Sequence, residues 1–184
     1  MSLFGSSNGL RNASMTAVAI PLISVMAAVG YGNLLFLDYV HVLLGAVWIG
    51  VDVFFGIIFR FVFRGVSSST REAVARRMLP ATLFFLPAAS ILTPLAGYAL
   101  ALQEGVWDTG SGVILAMIGI GSALVISGFL TIFLQSLRIA LSPTGTTDDQ
   151  KLLRRFSIIC NGALLQLALQ VCTVSLMAEL VVYG

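Results

Sequence analysis

His41, Gly45, Trp48 and Asp52 follow one another at steps of 4, 3 and 4. On a helix turning about 100° per residue, that spacing lays all four along one face. His41 is the only histidine in the chain. An imidazole can ligate haem iron, copper or zinc, or relay a proton. In a membrane helix it usually faces the bundle interior. His41 lies only three residues past Asp38, near a helix boundary. The competing reading is therefore an interfacial histidine bonded to a neighbouring carbonyl. Asp52 lies eight residues before Arg60, roughly 12 Å along a helix. A lone carboxylate at that depth is costly unless protonated or partnered. Asn161, six residues after Arg155, stands at a similar height and is the expected partner. Such a pair is either a neutral interhelical hydrogen bond that fixes packing or a proton-transfer site.

The last apolar stretch carries two adjacent polar stripes at helical spacing. One holds Asn161, Ala168, Cys172, Ser175 and Glu179; the other holds Gln166, Gln170, Thr173 and Met177. A lipid-facing helix would not keep so many amides. Asn161, Gln166, Gln170 and Glu179 are thus expected, with Asp52, as buried polar groups inside the bundle or against a partner subunit. Met177 reaches the height of His41 and is either a second, soft ligand for haem iron or Cu(I), or packing filler. Pro80, Pro87 and Pro94 recur seven apart and free the carbonyls of Arg76, Leu83 and Ser90. Beside them Ser90, Thr93 and Gly97 form a mildly polar stripe. The outcome is a cofactor-sized groove or simple curvature around a neighbour.

These residues need a frame, and composition supplies it. Of 184 residues, 58% are hydrophobic and 10% charged, with a mean hydropathy of +1.01. A soluble domain of this size carries about a quarter charged residues. The chain reads as one all-α domain, residues 1–184, an integral membrane bundle of five helices. Apolar segments at 13–31, 35–63, 78–102, 112–140 and 153–182 each suit the roughly 20 residues a span requires. The first segment has some features of a signal peptide; it is read as retained and as the first membrane helix. Polar links at 65–71, 103–111 and 142–149 read as turns.

All ten basic residues fall on one side of a five-span arrangement. The N-terminus is therefore expected in the cytoplasm and the C-terminus outside, in a multi-pass plasma-membrane protein. A shift of 78 residues superposes Arg60, Arg76 and Arg77 on Arg138, Arg154 and Arg155. This suggests a pseudo-repeat of two helical hairpins, or only two cytoplasmic turns of similar length. Gly119, Ala123 and Ser127, and likewise Ala46 and Gly50, read as small-residue packing stripes. Cys160 and Cys172 read as small packing residues on different helix faces. No metal-binding, phosphate-binding or dinucleotide-binding signature is present, and no basic–aromatic surface suggests nucleic acid.

The run from His41 through Gly45 and Trp48 to Gly50 resembles the first conserved helix of the HemJ-type protoporphyrinogen oxidase and CopD-like membrane proteins. Leu86 to Gly97, with Pro87, Thr93 and Pro94, resembles the next helix. Arg155-Phe156 to Asn161 resembles the last. The likeness spans residues 36–182. It implies a small helical bundle. On the HemJ side it implies haem b held by His41, and on the CopD side copper handling. The chain departs from both: Met177-Ala178-Glu179-Leu180 stands where the HemJ branch has a lysine, and CopD-like chains carry more histidine.

The expected function is haem b binding or electron transfer in the membrane, as a subunit of a respiratory complex. His41 is then the axial ligand, beside Gly45 and Trp48, with Met177 as second donor. The alternatives are a cofactor-free structural or assembly subunit, and a copper or small-solute transporter. Expected partners are the lipid bilayer and other membrane subunits or further copies of the chain. Whether the chain is an enzyme is left open.

Overall fold

A computed structural model describes residues 8–143 and 148–183. They form helical rods and, among the described residues, no strand. Helix α1 is Asn8–Tyr31, α2 Leu34–Gly65, α3 Ser68–Glu104 and α4 Gly112–Leu141, and α5 Asp149–Tyr183. Helices α2 to α5 are each long and apolar enough to cross a membrane, and α1 contributes the shorter apolar stretch Met15–Tyr31.

Helices α2, α3, α4 and α5 surround a common core. Helix α2 packs against α3 and α5, α4 packs against the same two, and α1 lies outside on α2 and α3. Short connections force antiparallel neighbours. The α1–α2 turn is only Gly32 and Asn33. Gly32 sits at φ 63°, where a side chain is disfavoured, and Asn33 Oδ1 caps α2 by accepting from the Phe36 amide at 3.0 Å. Helix α3 ends at Gly105, φ 74°, in the left-handed conformation common after a last helical turn. Leu43, Val47, Ile126, Val171 and Val174 are exposed along the outer faces. That pattern suits a surface wetted by lipid rather than water.

The two ends of the bundle differ. Nine of the ten basic residues cluster where α2 meets α3 and α4 meets α5. Helix α1, which carries Arg11 in its first turns, packs along the beginning of α3. Arg71 bridges to Asp149 at 2.7 Å, and Arg76 pairs with Glu72 while donating to the Ser142 carbonyl at 2.8 Å. Below them Phe63 stacks on Phe156, centroids 3.9 Å apart. At the opposite end stand Tyr31, Tyr39 and the edge-to-face pair Tyr98–Trp107, an aromatic rim of the kind found at membrane–water boundaries.

Several expectations are corrected. The link at 65–71 is helical from Ser68 onward; Val66 and Ser67 alone interrupt it. The start of α3 buries Ala75 and packs Val74 on the core, but its other residues are polar and its Arg71 and Arg76 make ion pairs, so mean hydropathy alone does not reveal it. Helix α5 likewise begins at Asp149, not 153. The prolines leave α3 continuous. A wider π-helical turn, Ala81–Phe85, lies between Pro80 and Pro87, giving the Pro87 ring room against the preceding turn. Helices α2 and α4 contain π turns at Phe54–Phe59 and Phe129–Phe133. The π turns of α3 and α4 touch each other, and those of α2 and α4 both touch α5.

The small-residue stripes also fall elsewhere. Gly50 and Gly119 are exposed with nothing within 4 Å of an added Cβ. The close approaches are at Gly56 against Leu164, Gly97 against His41, Gly128 against Gln166, and Gly162 against Thr131. Gly119 and Gly128 are nine residues apart, which at about 100° per residue puts them on opposite faces of α4. Spacing finds such a stripe but not the side it faces.

Candidate functional site

His41 sits in the first half of α2, toward the aromatic end of the bundle, packed toward α3. Its Nδ1 lies 3.0 Å from the Thr93 carbonyl oxygen. A carbonyl can only accept, so Nδ1 carries the hydrogen, and the neutral ring presents an unshared pair on Nε2. Nε2 has no hydrogen-bond partner among the described residues. The residue is 8% exposed, so the imidazole is mostly but not wholly enclosed. Two glycines allow this placement. A Cβ on Gly97 would stand 2.7 Å from His41 Cε1 and 3.3 Å from each ring nitrogen, and a Cβ on Gly45 would touch Thr93 Cγ2 at 3.7 Å. The sequence marks Gly45 and Gly97 as small. That Gly97 forms the floor under the histidine is visible only once α2 and α3 are paired. Trp48, 3% exposed, continues the same face about two turns on from His41, and its Nε1 hydrogen has no acceptor.

Asp52 is fully buried, 0% exposed, 13 residues from the nearer end of α2. Its Oδ2 accepts from Gln170 Nε2 at 2.9 Å. The expected partner, Asn161, is instead exposed and accepts from Arg60 Nη2. Helix geometry explains the correction. Asn161 and Gln170 are nine residues apart, hence on opposite faces of α5. Only one of them can face the core, and Gln170 also shares its face with buried Gln166. Glu179, nine residues beyond Gln170, is on the outer face for the same reason and is exposed rather than buried. Gln166 donates to the Leu124 carbonyl of α4 at 3.1 Å, its amide lying against Gly128.

The pairs Asp52–Gln170 and Arg60–Asn161 set the antiparallel register of α2 and α5. Seven residues past Gln170 and on the same face, half-buried Met177 comes level with Gly45, about one helical turn from the height of His41. Cys160 is buried and Cys172 exposed, both as free thiols. No three of His, Cys, Asp and Glu converge among the described residues. A metal bound through His41 would draw its other donors from sulfur, carbonyls, a macrocycle or another chain.

The chemistry available is thus a single, orientated imidazole near one membrane face and a carboxyl–amide pair deeper in the core. No protein-family model, no curated protein and no solved structure matches the chain.

Proposed function

We propose that the chain binds haem b through His41 Nε2 and serves electron transfer as a subunit of a membrane complex. The observation that carries this reading is the His41–Thr93 bond. A ligating histidine commonly donates its second ring N–H to a carbonyl, which fixes the tautomer, orients the ring and raises its basicity. Here that bond is in place and Nε2 is free. Gly45 and Gly97 let the imidazole lie directly against α3, within reach of the Thr93 carbonyl. Met177 is the half-buried sulfur donor of α5 that its register brings to within about one helical turn of the height of His41. Bound haem would supply a one-electron couple whose potential depends on its axial ligands. The decisive variant is His41→Ala. It should abolish Soret absorbance in protein purified from haem-replete cells while far-ultraviolet helicity stays at the wild-type level. Wild-type protein that never acquires haem would leave the structural-subunit reading. Stoichiometric copper in its place would favour the copper-transport reading.

The proposal includes the placement of the chain. Five spans, with the basic end in the cytoplasm and the aromatic end outside the plasma membrane, accord with the segregation of arginines. Cysteine labelling tests it: Ser68→Cys should react only from the cytoplasmic side and Gly110→Cys only from outside. Reaction of Ser68→Cys from outside would overturn the orientation. A two-hairpin pseudo-repeat also fits. Helices α2 and α4 begin 78 residues apart, at Leu34 and Gly112. Arg71 and Asp149, also 78 apart, touch each other, as equivalent positions do when they straddle a two-fold axis.

A further inference from the structure

Asp52 and Gln170 form one hydrogen bond where their shapes allow two. The bond present runs from Gln170 Nε2 to Asp52 Oδ2 at 2.9 Å. The two remaining oxygens, Asp52 Oδ1 and Gln170 Oε1, are both buried and both without a partner. Both are acceptors, so no rearrangement of an ionised Asp52 with Gln170 alone can satisfy them together. One hydrogen placed on Oδ1 would satisfy both, closing the ring that a carboxylic acid makes with a primary amide. We infer that Asp52 is a proton-binding site within the membrane, holding a hydrogen on Oδ1 that is donated to Gln170 Oε1.

The surroundings give an ionised Asp52 no charged partner, and the buried indole N–H of Trp48, one turn away on the same face, makes no hydrogen bond to it. On its own helix the nearest charge toward the basic end is Arg60, two turns away and engaged by Asn161. Toward the other end, His41 is three turns away and bonded to Thr93. Helix α5 presents Gln166 and Gln170 to the core, while Glu179 faces out and Cys160 lies nearer the basic end. Among the described residues, the buried positions of α1, α3 and α4 include no ionisable side chain: Ser90 and Thr93 of α3 are hydroxyls, and Val25 and Ala28 of α1 pack with Val40 and Leu44, away from Asp52. No salt bridge reaches Asp52 among the described residues. An isolated carboxylate in such a place takes up a proton in preference to staying charged. This inference stands apart from haem binding and holds whether or not His41 carries a cofactor.

Infrared spectroscopy of the full chain in liposomes at neutral pH tests it. The expected result is a carbonyl stretch of a protonated carboxyl group that shifts in heavy water, is lost in Asp52→Asn, and moves to higher frequency in Gln170→Leu, where its hydrogen bonds are gone. Carboxyl carbon-13 NMR of aspartate-labelled wild-type protein reads the same property without any variant: one resonance should lie at the protonated position. Absence of both signals in wild-type protein, or an infrared band unchanged in Asp52→Asn, would overturn the inference. A band that disappears when sodium is added at fixed pH would also overturn it, showing a metal cation at the site instead.

Discussion

Gly162→Leu is expected to pull α4 away from α5 and leave little monodisperse protein after extraction. A Cβ at Gly162 would fall on Oγ1 of Thr131. Thr131 cannot swing clear without giving up its own bond to the Ser127 carbonyl, 2.6 Å. The contact joins a buried position on α5 to the π turn of α4, where the backbones have no slack. Overpacking of this kind costs about 1–3 kcal/mol and more where backbone must move, whereas glycine in a helix gives up only about 1 kcal/mol to alanine. The balance is destabilising. Gly119→Leu is the control, since that position has open space around it. It should leave the thermal midpoint unchanged or slightly raised. Equal behaviour of the two variants in size-exclusion and melting experiments would contradict the packing described.

The second large effect is expected at Gln170. Gln170→Leu removes the one partner of a fully buried carboxyl, and a buried polar group without a partner costs about 1–3 kcal/mol, more if charged. Asp52→Asn is different. Two amides can still pair across α2 and α5, so the change should stay within about 1 kcal/mol. The difference between the two variants is therefore the informative quantity, and thermal unfolding in a single detergent measures it. If Asp52→Asn proves as harmful as Gln170→Leu, the pair does more than hold the helices together.

Much of this architecture was legible in the chain. Apolar runs longer than a bilayer is thick have few alternatives to helices, because backbone groups in lipid must pair within the segment. The His41 to Asp52 face is read directly from steps of 4, 3 and 4. What could not be read was rotation about each helix axis. Asn161, Gln170 and Glu179 are polar residues on one helix, and hydropathy ranks them alike. Only the partner helices decide that Gln170 points inward while Asn161 and Glu179 point out. The same ambiguity hid the working glycines. Gly97 and Gly162 matter because of what stands opposite, His41 and Thr131, and no local spacing carries that information. The first turns of α3 were missed for another reason: they are mostly polar and charged, and the short apolar face of Val74 and Ala75 that packs on the core is too brief to stand out by hydropathy.

Titration of purified wild-type chain with haemin, followed by absorbance, tests most directly whether His41 Nε2 is a haem ligand. The predicted result is saturation at one haem per chain with a Soret band of a protein-ligated b-type haem, and a reduced spectrum of a five-coordinate or histidine–methionine site. A bis-histidine spectrum at one haem per monomer would contradict the account, because the chain has one histidine. So would a titration in which the haem spectrum stays that of the free pigment in detergent.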